Sequence, residues 1–197
     1  MRFIGITDIN HNLLFNKNIF LDNDFLSYFY KDDEFFKNIL KIFSKSNLLV
    51  DPFIEFEFLR DVFVPEERVV RENFIKKPLF YPVIDHQEVH KVIIQNALIL
   101  SRIYSHQKKA KGCSSIDLFL ASRIMYYANN SLLITGNKKD FPAPVFEILA
   151  VINVEDLEEN KMKCFYILKF NIENFNKKYK SIKRIEANYD FTLSKLK

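Results

Sequence analysis

Residues 18–26 read NIFLDNDFL, a short apolar run that stops at two carboxylates and continues as a helical pattern. The unbroken apolar run at 19–21 predicts a strand that is covered on both faces of a sheet. Asp22 follows at the carboxyl end of this strand, which is the edge where open α/β sheets bind ligands. Asp22 or Asp24 could instead cap the next helix, because an Asp side chain accepts hydrogen bonds from the free amides of a first turn.

The rest of the chain alternates strand and helix patterns. Residues 47–50 and 131–135 predict two more buried strands, and the segments between them show helical periodicity. This order is typical of an α/β fold with a mostly parallel central sheet flanked by helices. Two β-rich segments at 145–154 and 163–170 could pair as a hairpin that completes the sheet.

The composition excludes several classes of protein. The chain has 197 residues, of which 48% are hydrophobic, enough to form one substantial core. Its glycines, Gly5, Gly112 and Gly136, stand apart, so neither a G-x-G-x-x-G dinucleotide loop nor a P-loop can form. Cys113 and Cys164 form no C-x-x-C pair, which argues against a structural zinc site and a disulfide framework.

The amino terminus, the apolar stretches and the net charge bear on the cellular compartment and the binding partners. The amino terminus lacks the pattern of a signal peptide, and no apolar stretch approaches the ~18 residues that a spanning helix needs. We therefore expect a soluble cytoplasmic protein with no membrane partner. The formal net charge of +4 is compatible with a polyanionic partner but does not demand one.

Two glutamates lie in the apolar helix that begins after Pro52. At about 100° per residue, Glu57 falls on the side shared with Arg60 and Asp61, whereas Glu55 falls among apolar side chains. Glu57 is therefore the one predicted to face a cleft.

Asp117 and Asp140 are the remaining acidic candidates. Asp117 follows Ser114 by three residues, so a capping box at the start of a helix is a respectable alternative to a functional role. Asp140 follows the strand predicted at 131–135, just as Asp22 follows its own strand.

We expect Asp22, Glu57, Asp117 and Asp140 to meet at one edge of the sheet. Clustered carboxylates repel one another, so a stable fold tends to disperse them unless a cation lies between them. Oxygen ligands suit Mg²⁺ or Mn²⁺ better than zinc. Such an ion lowers the pKa of a bound water and neutralises charge on a phosphodiester during in-line displacement.

Four segments resemble, in order, the motifs of PIN-domain ribonucleases. Residues 21–26 are similar to the opening motif, in which an Asp follows the first strand and Asn or Asp often stands two residues later. Residues 50–60 resemble the second motif, residues 115–122 the third, and residues 133–141 the fourth, of the form T-x-N-x-x-D-F.

The resemblance implies a PIN-like three-layer sandwich and a Mg²⁺- or Mn²⁺-dependent endoribonuclease. It also implies that Asp22 and Asp117 hold the metal directly and that Glu57 completes the shell. Asp140 would bind a second metal or orient the attacking water. The commonest bacterial form of the family is the toxin of a VapBC-type toxin–antitoxin pair.

Asp24, Thr135 and Asn137 are secondary candidates within these motifs. Asn137 occupies a position that is acidic in other members of the family. The segment 64–111 and the tail after residue 154 also depart from a compact toxin.

The expected domain organisation follows from these motifs. We expect a PIN-like nuclease domain at 1–154, with 64–90 as an insertion or cap. Residues 155–197 would form a C-terminal strand and helix extension packed on the same domain. The Phe-rich helices at 25–43 could face the core, a second copy of the chain or an antitoxin, with the core as the default.

The expected partners are an RNA substrate, an antitoxin protein and a second copy of the chain in a homodimer. Lys108, Lys109 and Lys111 could hold the RNA backbone, although such a basic run is more often a solvated face. The alternative function is a non-catalytic PIN-like module that binds RNA or protein through the same surface. A third is a doubly wound domain that uses Asp22 for unrelated chemistry.

Overall fold

The fold is seen in a computed structural model that describes residues 2–7, 11–106, 113–143, 145–156 and 160–195. Within these residues it is α/β, with one mixed sheet and helices in an arrangement compatible with three layers. The α/β class predicted from the sequence is confirmed. None of the helices in these ranges is long and apolar enough to cross a bilayer.

The elements of the described residues are as follows. The strands are β1 Arg2–Ile6, β2 Asn18–Leu21, β3 Asn47–Val50, β4 Phe80–Pro82, β5 Ser131–Thr135, β6 Phe146–Asp156 and β7 Lys161–Phe170. The helices are α1 Asn23–Lys31, α2 Asp33–Ile42, α3 Pro52–Arg60, α4 Pro65–Ile75, α5 Gln87–His106, α6 Ser115–Tyr127 and α7 Ile172–Lys195.

The sheet has the strand order β1-β6-β7-β5-β2-β3-β4, parallel in one part and antiparallel in the other. β2 lies between β3 and β5 and is parallel to both, and β4 is parallel to β3. β7 runs antiparallel to β5 and to β6, so the predicted hairpin is confirmed. Because β2, β3 and β5 point the same way, Asp22, Asp51 and Gly136 follow their carboxyl ends along one edge.

The sheet also takes in the segments expected to be peripheral. The segment 64–90 contributes α4 and then β4, which pairs with β3 and so belongs to the central sheet. β6 continues to Asp156, past the boundary expected at residue 154. Further on, β7 lies between β5 and β6, and Phe175 and Ile182 of α7 are buried in the same core.

Aromatic rings fill much of this core. Phe25, Phe29 and Phe35 are buried, and their ring centroids lie between 5.6 and 6.5 Å apart. The ring of Phe74 lies 6.1 Å from that of Phe29, which fastens α4 to α1. Burying a Phe side chain stabilises a fold by about 1.5–3 kcal/mol. The inner faces of α1 and α2 are therefore used by the core.

Candidate functional site

Asp22 stands at the carboxyl end of β2 and is only 6% exposed. Its N–H donates to the carbonyl of Ile134 at 3.0 Å, which joins the ends of β2 and β5. One carboxylate oxygen accepts a hydrogen bond from the N–H of Asn23 at 2.8 Å, so Asp22 caps α1. The other accepts one from Thr135 Oγ1 at 2.6 Å. Asp22 is thus both a helix cap and a strand-end acid.

Asp24 reaches across this edge to the turn after β5. Its carboxylate accepts hydrogen bonds from the N–H of Gly136 at 2.9 Å and of Phe25 at 2.6 Å. A Cβ at position 136 would lie 2.6 Å from Asp24 Oδ2, so the approach requires glycine. The N–H of Asn137 donates to Thr135 Oγ1 at 2.9 Å. The two secondary candidates Thr135 and Asn137 therefore belong to the hydrogen-bonded turn that holds Asp22 and Asp24.

The start of α6 meets the same turn. Asn137 Nδ2 donates to Asp140 Oδ2 at 2.5 Å, and Cys113 Sγ donates to the carbonyl of Asp140 at 3.9 Å. Asp117 lies in the first turn of α6, where its N–H donates to Ser114 Oγ at 3.0 Å and its carboxylate accepts from the N–H of Ser114 at 3.1 Å. The capping box is present as predicted, and it also sets the position of Asp117.

Glu57 approaches from α3. It is half-buried, whereas Glu55 on the same helix is exposed. The rings of Phe53 and Phe119 stack with centroids 5.0 Å apart and pack α3 against α6. Phe53 lies one turn before Glu57, and Phe119 lies two residues after Asp117. This contact holds together the two helices that carry Glu57 and Asp117, and burial, followed by the charge of Asp117, raises the pKa of Glu57.

The carboxyl groups share one negatively charged region. Burial raises the pKa of Asp22, Asp24, Glu57 and Asp140, and the charge of Asp117 raises the pKa of each of them further. Charge–charge interactions weaken with distance and are screened by solvent. The charge of Asp24 also raises the pKa of Asp22, Glu57 and Asp140, so these acids influence one another. We call these five residues the acidic cluster.

The pKa of Asp22 is strongly raised within the acidic cluster. Burial, followed by the charges of Asp24 and Asp117, raises its pKa to about 8, although hydrogen bonds from Thr135 and Asn23 oppose the shift. Near neutral pH the isolated protein therefore keeps a proton on much of its Asp22. A cation beside this carboxyl would favour its ionised form.

The acidic cluster offers a divalent ion only part of a ligand shell. Within the part of the chain that the structure describes, no three His, Cys, Asp or Glu side chains stand ready to hold a metal ion together. Their carboxylates accept local hydrogen bonds instead, as Asp117 does from Ser114. Mg²⁺, however, keeps several waters and usually takes only one or two carboxylates directly. The oxygen donors present therefore fit a hydrated ion better than a fully enclosed one.

Two buried oxygen atoms beside the acidic cluster support this fit. The hydroxyl of Tyr104 and the side-chain oxygen of Asn23 have no hydrogen-bond partner among the described residues. Burial, followed by the charges of Cys113, Asp117 and Asp140, raises the pKa of Tyr104, so its hydroxyl lies near the acids. Buried polar atoms are nearly always partnered by protein or ordered water. A hydrated ion would bring such waters.

Two exposed lysines lie on the turn that also carries Asp140. Lys108, Lys109 and Lys111, the candidates for the RNA backbone, lie outside the described residues. Lys138 and Lys139 are exposed on the turn after β5. Both lie within the fourth motif, but its sequence pattern does not show which way they face.

A buried ion-pair network that sequence reasoning missed holds α3 against α6. Arg123 of α6 is 1% exposed and donates to Asp51, the cap of α3, and to Asp85 at 2.7 Å. Because Glu57 and Asp117 belong to these two helices, the network also sets their relative positions. The available signal was a single arginine inside the apolar pattern of α6, since a buried charge requires partners.

The fold and the acidic cluster together define an α/β protein whose carboxyl groups gather at the carboxyl ends of its parallel strands. Comparisons of the chain with protein-family models, curated proteins and solved structures found no match.

Proposed function

We propose that this protein is a divalent-metal-dependent endoribonuclease. The observation that carries the proposal is the gathering of Asp22, Asp24 and Asp140 around the turn 135–137, to which each carboxylate is hydrogen-bonded. Burial and the charge of Asp117 raise the pKa of all three and of Glu57. Like charges gathered in this way oppose folding unless a cation compensates them. Binding of Mg²⁺ or Mn²⁺ would compensate these negative charges.

The acids take distinct roles in this proposal. Asp22 and Asp117 bind the ion directly, Glu57 completes its shell, and Asp140 binds a second ion or orients the attacking water. Thr135 orients Asp22 through their 2.6 Å hydrogen bond, as the partners of ligating carboxylates do in metal sites. When bound, the ion would supply a water of lowered pKa and neutralise charge on the phosphodiester.

The choice of RNA depends on the resemblance of the four motifs to PIN-domain ribonucleases. Segment 21–26 spans the end of β2 and the start of α1, and segment 50–60 spans the end of β3 and α3. Segment 115–122 lies in α6, and segment 133–141 spans the end of β5 and the turn after it. Because the acids of all four motifs lie in the acidic cluster, the fold is compatible with a PIN-like sandwich.

A non-catalytic RNA- or protein-binding module is the second candidate. It is favoured by Asn137, which stands where an acid is expected and donates to Asp140 at 2.5 Å. This contact engages one oxygen of Asp140, which would leave the metal shell incomplete. RNA would then be retained without being cleaved.

Metal dependence separates the two candidates. Purified protein is incubated with structured and unstructured RNA in Mn²⁺, Mg²⁺ or EDTA, beside Asp22→Asn and Asp117→Asn. We expect cleavage with either ion and none in EDTA or in the two variants. Glu55→Gln is the matched control, because Glu55 is exposed on the same helix as Glu57. Cleavage that survives the chelator or either Asn substitution would exclude the ribonuclease proposal.

We further propose that the nuclease is the toxin of a toxin–antitoxin pair. Phe63 and Phe56 are 91% and 60% exposed, and such apolar surface suits an antitoxin or a second copy of the chain. Expression should arrest growth, and Asp117→Asn should relieve the arrest. Equal growth with both forms would count against toxicity and leave the nuclease proposal to the cleavage assay.

A further inference from the structure

A cavity of about 480 Å³ adjoins the acidic cluster. Asp24 and Gly136 form its border with the cluster, and β7 forms the opposite wall. Tyr166 of β7 pairs with Thr135 across the antiparallel ladder. Directly opposed residues in such a ladder share a face of the sheet. Tyr166 is therefore on the same face of the sheet as Thr135, the hydrogen-bond partner of Asp22.

Positive charge and aromatic surface occur together in this cavity. Lys138 Nζ lies 4.8 Å from the ring centroid of Tyr166, and Lys163 Nζ lies 4.5 Å from that of Tyr28. Lys163 also donates to Asp156 at 2.7 Å, so its position is set from two sides. Lys138 is exposed. It can therefore turn from the ring toward an incoming anion.

A second cavity of about 200 Å³ shares Lys138 and Lys139 with the first. Its remaining wall is largely apolar and includes Phe141, Phe146 and Leu168. Two cavities that share a pair of lysines suit a chain of nucleotides, because each cavity can take a base and the lysines can bind the phosphate that joins the two nucleotides.

We propose that the larger cavity binds one nucleotide of single-stranded RNA next to the phosphate that is cleaved. The base lies against Tyr166, and its phosphate is held by Lys138 and Lys139. The inference rests on the proposed ribonuclease function and specifies the form of the substrate. Aromatic platforms beside basic grooves are typical of single-strand binding, because unpaired bases can leave their stack. The volume falls within the range of about 300–1,000 Å³ of small-ligand pockets.

Binding without cleavage tests the inference. Fluorescence anisotropy of a short, unstructured, labelled oligoribonucleotide is measured in EDTA, beside the same sequence as a duplex. We expect the single strand to bind more tightly than the duplex. Tyr166→Leu should weaken single-strand binding about tenfold, because one stacked base is lost. Lys138→Gln should weaken it about threefold and lower its salt dependence.

Two variants outside both cavities serve as matched controls. Tyr126→Leu removes an exposed tyrosine of α6 and Lys169→Gln removes a lysine of β7, and neither residue lines the two cavities. Both should bind RNA as the unmodified protein does. Because Lys138 is exposed, Lys138→Gln remains informative even if Tyr166→Leu does not fold.

The outcomes distinguish this inference from the proposed function. Unchanged affinity in Tyr166→Leu and Lys138→Gln, equal binding of duplex and single strand, or no binding by the unmodified protein would each overturn it. Any of these can occur while metal-dependent cleavage persists. Weakened binding in both variants, with no cleavage in any metal, would support the nucleotide cavity and remove the ribonuclease function.

Discussion

Replacing Asp22 by Asn should raise the free energy of unfolding near neutral pH and abolish RNA cleavage. Asp22 is buried in the acidic cluster, and burial followed by the charges of Asp24 and Asp117 raises its pKa from 3.8 to about 8. Between these values the folded protein holds a proton that the unfolded chain releases. The free energy of unfolding therefore falls as the pH rises from about 4 to about 8. Asn carries no such proton, so Asp22→Asn removes this part of the pH dependence.

The size of the effect follows from the pKa shift. One pH unit in this window costs about 1.4 kcal/mol for one proton, so moving from about pH 5 to about pH 7 costs roughly 3 kcal/mol. The amide oxygen of the substituted side chain can still accept the hydrogen bond that the N–H of Asn23 donates to this cap. We therefore expect Asp22→Asn to be more stable than the unmodified protein near pH 7, yet inactive toward RNA.

Urea unfolding in EDTA at several pH values between about 5 and 8 measures this difference. Glu55→Gln is the control for loss of an exposed carboxylate and should keep the pH slope of the unmodified protein. Added Mg²⁺ should stabilise the unmodified protein, by about 2.7 kcal/mol at a hundred times its dissociation constant, and should leave Asp22→Asn nearly unchanged. Parallel pH slopes for Asp22→Asn and the unmodified protein would refute the reasoning.

Two other substitutions test the supports of the site. Arg123→Met should cost about 3–5 kcal/mol of unfolding free energy, because the buried carboxylate of Asp51 loses its cation. Arg60 is exposed, so Arg60→Met is the control, and its unfolding free energy in urea should lie within about 0.5 kcal/mol of that of the unmodified protein. An equally small loss in Arg123→Met would contradict the prediction. Gly136→Ala would displace the Asp24 carboxylate, so RNA cleavage should fall about tenfold while the unfolding free energy changes by about 1 kcal/mol. Full cleavage activity in that variant would show that this contact is dispensable.

Local sequence patterns predicted the acids of the candidate site. They did not predict the contacts that hold these acids in place. An apolar run followed by an acid placed Asp22 and Asp140 after strands, and helical geometry distinguished Glu57 from Glu55. Asp117 was recognised together with its capping box. In the structure β2, β3 and β5 are parallel, and burial and the charge of Asp117 raise the pKa of Asp22, Glu57 and Asp140. Their catalytic roles stay predictions.

Local patterns in the sequence were enough to predict the α/β order, the strands that precede the acids and the helix caps, because apolar periodicity and capping act over a few neighbouring residues. The partners of Arg123 depend on tertiary packing, since Asp51 lies 72 positions away along the chain. The tertiary structure also decided that β4, three residues ending in proline, extends the sheet. The cavity arises because β7 lies beside β5 and brings Tyr166 to Lys138. Such contacts depend on how distant elements pack, which no local pattern records.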